Sequence, residues 1–337
     1  MTKKVLLIKL TSLGDLIHAL PALNDAALAI PDIEIDWAID KSFSEVALWH
    51  RAVKRFFPTS HRQWRKKLSH LSTYSDVRAF VRNLRASEYD LVIDGQGNFK
   101  SAFLALLARG KRVGFDRHSV REWIAHFAYQ KKVTASWKIH AIDRLRILFS
   151  RALDYPLPLS PPDFSLKEGC FVKPPFELPP SYLVFIHSAS WKTKLWPEAH
   201  WKELIALASH AGYPVLLPWG SPGEEERAKR LAALPEAHVL PRVSLSEMGY
   251  ILKRAKGAVC VDTGLSHLAA ALRVPSVTLY GATDSGLIGT SGHILQSNLP
   301  CAPCNQKSCK FKVAIPPCLA QITPQTVFQK LLRAICS

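Results

Sequence analysis

Three short stretches hold residue types that could do chemistry at strand-to-helix turns. The first, Lys9-Leu10-Thr11-Ser12-Leu13-Gly14-Asp15, follows the apolar run Val5-Leu6-Leu7-Ile8 and precedes residues that are apolar at helical spacing. Thr11 and Ser12 are capping types, Gly14 lets backbone come close to a ligand, and Asp15 falls just inside the helix. That is the carboxyl edge of a buried strand, where open α/β sheets bind ligands. The plain alternative is a first-turn acid that only complements the helix dipole. The second stretch, His187-Ser188-Ala189-Ser190-Trp191-Lys192-Thr193-Lys194, offers hydroxyls and cations. The third, Asp262-Thr263-Gly264-Leu265-Ser266-His267, opens a helix whose first N–H groups suit an anion. Together with Ser190 and Lys194 it could hold a diphosphate and neutralise the charge of a leaving group. Against this stand a surface role for Lys194 and ordinary capping and packing by Ser266 and His267.

These loops need strands and helices in alternation, and the chain supplies them. Strands are expected at 5–10, 33–39, 53–57 and 90–94. Helices are expected from 15 to about 29, over 74–86 and 102–108, and around 121–128 and 140–153. A second strand-to-helix turn, Gly95-Gln96-Gly97-Asn98, ends the 90–94 strand. Residues 155–181 interrupt the pattern with eight of the chain's 23 prolines, which reads as a linker and puts a boundary near residue 165. The second half repeats the alternation. Strands fall at 182–186, 213–218, 237–240, 258–261 and 274–280, and Ser244 and Glu247 form a capping-box pattern. Both halves read as doubly wound parallel sheets. Neither carries G-x-G-x-x-G, which disfavours a nicotinamide or flavin enzyme.

Composition narrows the class. With 337 residues, 48% hydrophobic and 21% charged, the chain has full cores for two domains. No run of 18 apolar residues marks a membrane span, the N-terminus reads as a strand rather than a signal peptide, and a cytoplasmic location is expected. The net charge of +17 is sharpest between residues 51 and 82, with nine basic side chains and one acid, Asp76. Such a field suits nucleic acid, anionic lipid or a phosphorylated substrate. No helix-turn-helix, zinc-finger, RRM or KH signature accompanies it, so nucleic acid is not expected. Cys301, Cys304, Cys309 and Cys318 begin with a C-x-x-C pair, the one hint of structural zinc. Their later spacings are irregular, and reduced thiols are the reading adopted, with no metal or cofactor assigned.

At this point KLTSLGDLIHALPAL, VIDGQGNFKSA, HSASWKTKLWP, LPWGSPGEEERAKRLA and VDTGLSHLAAALRVPSVTLYGATDSGLIG resemble the lipopolysaccharide heptosyltransferases, most of all the branch that adds the first heptose. The resemblance spans nearly the whole chain. It implies a GT-B fold, with two Rossmann-like domains facing across a cleft. An acceptor domain would cover 1–165 and a donor domain 166–337, with a final helix that crosses back to the first. It implies an inverting transfer of L-glycero-D-manno-heptose from ADP-heptose to the inner Kdo sugar of Kdo2-lipid A, on the cytoplasmic face of the inner membrane. Asp15 matches the general base of that family, beside Ser12 and Gly14. Lys194 matches the lysine on the donor phosphates, and Ser190 keeps a hydroxyl where Ala189 does not. Glu224 matches the acid on the adenosine ribose, within a Glu224-Glu225-Glu226 run that leaves the register open. Asp262 matches the acid on the heptose hydroxyls, and Thr263, Gly264, Leu265 and His267 match the diphosphate-binding helix start. Arg62, Arg65, Lys66 and Arg121 match cations that meet the anionic acceptor and membrane surface. A transferase acting further out on the core is the related alternative. A non-catalytic basic protein that binds anionic lipid or nucleic acid is the unrelated one.

Overall fold

The computed structural model describes residues 2–61, 64, 71–313 and 315–336. The chain divides into two units, Met1–Cys170 and Phe171–Ser337. The division falls inside the proline-rich stretch, a few residues beyond the expected boundary.

The first unit is built on six parallel strands: β1 (Lys3–Ile8), β2 (Ile33–Asp40), β3 (Val53–Thr59), β4 (Glu88–Asp94), β5 (Arg109–Phe115) and β6 (Lys131–Val133). Their order is β3-β2-β1-β4-β5-β6, that of a dinucleotide-binding Rossmann sheet, with the topological switch point between β1 and β4. Val5 to Ile8 are fully buried, as a central parallel strand requires. Leu6, Ile8 and Val92 face Phe80, Leu84, Leu104 and Ala105 in one core cluster. Pro58 is tolerated because β3 is an edge strand.

The helix expected from residue 15 to 29 is two helices, Leu13–Ile17 and Leu20–Ala29. Pro21 explains the break, since it has no N–H for the carbonyl of Ile17 and its ring crowds that carbonyl. The Leu20–Ala29 helix packs on Ala141–Leu153. There Arg146 and Asp25, both buried, form an ion pair at 2.7 Å. Arg146 also donates to the carbonyls of Pro158 and Ser160, which fastens the start of the proline-rich stretch to this unit. Residues 121–128, expected as an α-helix, form a 3-10 helix over Trp123–Ala128.

The second unit repeats the plan with β7 (Leu183–Ile186), β8 (Val215–Leu217), β9 (Ala237–Val239), β10 (Gly257–Val261), β11 (Ser276–Tyr280) and β12 (His293–Gln296). The order β12-β11-β10-β7-β8-β9, again all parallel, is the same topology, and its switch point lies between β7 and β10. Trp196, Trp201, Val259, Leu279 and Leu319 fill the core on one face. The final helix, Pro324–Cys336, packs on Glu198–His210 and on β10, β11 and β12, and buries Val327 and Leu331 in that core. It therefore belongs to the second unit, where the sequence reading had it crossing back to the first. No described helix is long and apolar enough to cross a membrane.

Candidate active site

Each unit presents its chemistry at its own switch point. In the first, the 9–12 segment is fixed from two sides. The backbone carbonyl of Lys9 accepts from Trp37 Nε1 at 2.9 Å, and the N–H groups of Leu10 and Thr11 both donate to Gln96 Oε1, at 3.0 and 3.2 Å. Trp37 lies on β2 and Gln96 in the turn after β4, so the two strands that flank β1 hold the loop jointly. Asp94 organises that turn. Its Oδ1 accepts from the N–H groups of Gln96 and Gly97, and its Oδ2 from Tyr129 Oη at 2.6 Å. Gly114 leaves the room that the Tyr129 ring occupies.

Asp15 sits on this platform at the third position of the Leu13–Ile17 helix. Its Oδ2 accepts from both the N–H and the hydroxyl of Ser12, at 2.8 and 2.9 Å. Asp15 thus completes a capping box with Ser12, which occupies one carboxylate oxygen. Oδ1 makes no hydrogen bond among the described residues, and the side chain is only partly buried. Below it lies Lys9, a buried lysine whose Nζ donates to the carbonyl of Gly95 at 2.9 Å. Burial alone would raise the pKa of Asp15. The charge of Lys9, the two bonds from Ser12 and the charge of Arg121 outweigh it and hold the carboxyl below its ordinary value. Burial lowers the pKa of Lys9, and the charges of Asp15 and Asp94 oppose that. Arg121 is exposed beside Gly97, consistent with a surface cation. Arg62, Arg65 and Lys66 lie outside the described residues.

The second switch point inverts the arrangement. Asp262, at the end of β10, is the buried partner, and Lys194 reaches it from the turn after β7 at 2.6 Å. Thr283 Oγ1 donates to the same oxygen, Oδ2, and His267 Nε2 stands 3.8 Å from Oδ1. Lys194 Nζ also lies over the Trp191 ring, 4.7 Å from its centroid, and Lys307 Nζ over the same ring at 5.8 Å. The Lys192–Lys194 turn is anchored by Thr193 Oγ1 donating to the carbonyl of Gln306. Ser190 is exposed on this turn. Thr263 caps the Gly264–Ala271 helix, and the buried Ser266 donates to the carbonyl of Thr263 at 2.6 Å. Ser266 is thus consumed by capping, while Thr263, Gly264 and Leu265 remain partly exposed. First-turn N–H groups have no partner within their own helix, so those of Gly264 and Leu265 point outward as donors.

The three consecutive acids point in different directions. Glu224 Oε2 accepts from Gly220 N–H at 2.8 Å, which turns this carboxylate back over the loop at the carboxyl end of β8. Glu225 pairs with Lys229 along the helix, and Glu226 is exposed. All seven cysteines are free thiols, and no group of three or more His, Cys, Asp or Glu among the described residues is gathered to hold a metal ion.

Lys9, Asp94, Gln96, Trp191 and Thr283 were not foreseen as site residues. A lysine closing the VLLIK run and a glutamine between two glycines were the available signals.

The description "Glycosyltransferase family 9 (heptosyltransferase)" matches residues 77–315. The chain is 45% identical to a Pseudomonas aeruginosa protein named lipopolysaccharide heptosyltransferase 1, with 97% of each covered. It is 43% identical to a protein of that name from Escherichia coli K12, over 86% of this chain and 91% of the other. The solved structure "E. coli heptosyltransferase WaaC with ADP" superposes with a TM-score of 0.87 at 39% identity, covering 98% of this chain and 99% of that one. A second structure of the same protein, with ADP-2-deoxy-2-fluoro heptose, gives 0.84 at 38% identity, with the same coverage. The paired Rossmann sheets, the loops at their switch points and these likenesses agree, and the chain belongs to glycosyltransferase family 9, the heptosyltransferases.

Proposed function

We propose that the chain transfers L-glycero-D-manno-heptose from ADP-heptose to the inner Kdo sugar of Kdo2-lipid A, with inversion at the anomeric carbon. The observation that carries the reading is Asp15. It is kept ionised by Lys9 and Ser12, with one carboxylate oxygen uncommitted among the described residues, in a chain 45% identical to a lipopolysaccharide heptosyltransferase 1.

In this scheme Asp15 accepts the proton of the acceptor hydroxyl while that oxygen attacks the anomeric carbon. The bond from the anomeric carbon to phosphate oxygen breaks, and ADP leaves with the electron pair. Lys194 exchanges part of its contact with Asp262 for the donor's phosphate oxygens and offsets their growing charge. The N–H groups of Gly264 and Leu265, with Thr263 and Ser190, bind the same diphosphate. Asp262, held by Thr283 and close to His267, receives heptose hydroxyls, and Glu224 receives the adenosine ribose. Ser12 and Gly14 shape the acceptor side. Arg121, with Arg62, Arg65 and Lys66, meets the carboxylates and phosphates of the acceptor. Work at the anionic cytoplasmic surface of the inner membrane follows from a lipid-linked acceptor and a net charge of +17.

The test is mass spectrometry of heptose-free Kdo2-lipid A incubated with the protein and a panel of nucleotide sugars. A gain of one heptosyl unit with ADP-heptose alone is expected. Reaction only on an acceptor already carrying heptose would move the assignment to a later transferase of the core.

A further inference from the structure

The helix Phe99–Leu107 carries an apolar stripe that faces outward. Its inward positions, Ala102, Leu104 and Ala105, are buried in the core. Phe99, Phe103 and Leu106 follow at i, i+4 and i+7, which places them on one face, and all are more than half exposed. A surface helix ordinarily shows polar residues there. The stripe does not end with the helix. The Trp123–Ala128 turn packs along it and adds Trp123, 66% exposed, Phe127, 68% exposed, and Ile124. Trp123 and Phe127 meet edge to face, their centroids 5.9 Å apart, while both stay open to solvent. Glu122 clamps the two elements together: its carboxylate accepts from Phe99 N–H at 2.8 Å and its own N–H donates to the carbonyl of Gly97. Six apolar side chains from two adjoining elements form one exposed face. Isolated exposed apolar residues need no explanation, but a contiguous patch marks a contact surface.

The rim says what kind of surface. Lys100 stands on the same helix and is exposed; Arg121 precedes the turn; Arg112 Nε donates to the carbonyl of Ala128 at its end. Glu122, the acid next to the turn, is committed to the Phe99 N–H. Aromatic side chains with a cationic border suit the headgroup level of an anionic bilayer. The patch also adjoins the proposed acceptor side. Gly97, which bonds Glu122, is in the turn beneath the 9–15 loop, and the charge of Arg121 acts on Asp15.

We propose that the face formed by Phe99, Phe103, Leu106, Trp123, Ile124 and Phe127 docks on an anionic phospholipid bilayer and presents membrane-anchored acceptor to the Asp15 loop. The inference rests on the lipid-linked acceptor proposed above. Insertion of the aromatic rings supplies apolar burial, and Lys100, Arg112 and Arg121 attract the lipid phosphates.

The test uses the whole chain and sedimentation with vesicles of phosphatidylethanolamine and phosphatidylglycerol, compared with vesicles of phosphatidylcholine alone. The protein is expected to bind the anionic vesicles and to bind the neutral ones weakly. The double variant W123S/F127S is expected to bind anionic vesicles at least about tenfold more weakly. Its turnover on a deacylated, water-soluble Kdo acceptor should stay within about twofold of the parent, which also shows that it folds. If that variant fails to fold, F103S/L106S on the helix of the same face carries the same expectation. Parent protein that ignores anionic vesicles, or folded variants that bind them as the parent does, overturns the proposal. So does a parent dimer that the variants dissociate with vesicle binding intact, because the patch would then join two copies. Absence of heptosyl transfer to either acceptor, with vesicle binding as expected, would instead overturn the proposed function and leave the membrane face standing.

Discussion

The two units share one strand order and place their chemistry at the same topological point, yet they bury opposite charges there. At the switch point of the first, the lysine is interior and the carboxylate looks outward: Lys9 is buried, and Asp15 is partly exposed with Oδ1 uncommitted among the described residues. At that of the second, the carboxylate is interior and the lysine arrives from the loop: Asp262 is buried and Lys194 caps it at 2.6 Å. A buried cation under an outward carboxylate makes a place that stays anionic and can take a proton. A buried carboxylate under a cation and a helix start makes a place that receives anions and hydroxyls. The scaffold is common to both; which charge is sunk into it sets the division of labour proposed above.

Breaking the first arrangement gives the largest effect. Asp15→Asn keeps an acceptor oxygen for the two Ser12 donors and removes the proposed base, so kcat should fall by about 10²–10⁴ with the fold intact. Steady-state kinetics beside a thermal melt measures both. Breaking the second is smaller. Lys194→Met should weaken ADP binding by roughly 10–100-fold, the worth of a charge-assisted hydrogen bond, and calorimetric titration with ADP reads it directly.

The pH dependence sharpens the contrast. The folded pKa of Asp15 is depressed, so its contribution to stability is present above the unfolded carboxylate value, about 3.9, and is lost as pH falls through the folded value. For the same reason Asp15 stays ionised at neutral pH, and any acid limb of kcat/KM that it sets lies below about 3.9. Lys9→Met removes the buried charge that holds it there, so that limb should move to higher pH. A pH–rate profile of the variant checks the direction, and an unmoved limb would mean that the bonds from Ser12 and the charge of Arg121 set the value. The smallest effect is structural. Gln96→Leu strands the N–H groups of Leu10 and Thr11 and should cost about 1–3 kcal/mol in denaturant unfolding, with the loss of activity following from a displaced loop.

Much of this was legible because it is local. Apolar runs ending in Lys9, Gly95, His187 and Asp262 marked the four central strands, and helical spacing after each marked the turns. The short edge strands β6 and β12 left no such signal: three or four residues, partly exposed, lack a buried run. The break at Pro21 was available from the sequence, yet apolar periodicity continued across it and hid it. What could not be read locally was which partner each polar residue finds. Lys9 meets Gly95, and Leu10 meets Gln96, across 86 residues, and Thr193 meets Gln306 across 113. Composition gives no sign that a lysine at the end of an apolar run will be buried on the Gly95 carbonyl, within the field of Asp15 and Asp94, rather than leave for solvent. The Glu224-Glu225-Glu226 run shows the same limit at short range: three identical side chains differ in the partner each one finds, Gly220 N–H for Glu224 and Lys229 for Glu225.

The division of labour between the two switch points is tested most directly by measuring donor binding and turnover on one variant. Asp15→Asn should bind ADP-heptose as the parent protein does in calorimetric titration, while mass spectrometry of Kdo2-lipid A shows no heptosyl gain over the time in which the parent converts it fully. Near-parental conversion by Asp15→Asn, or loss of ADP-heptose binding along with conversion, would contradict the account.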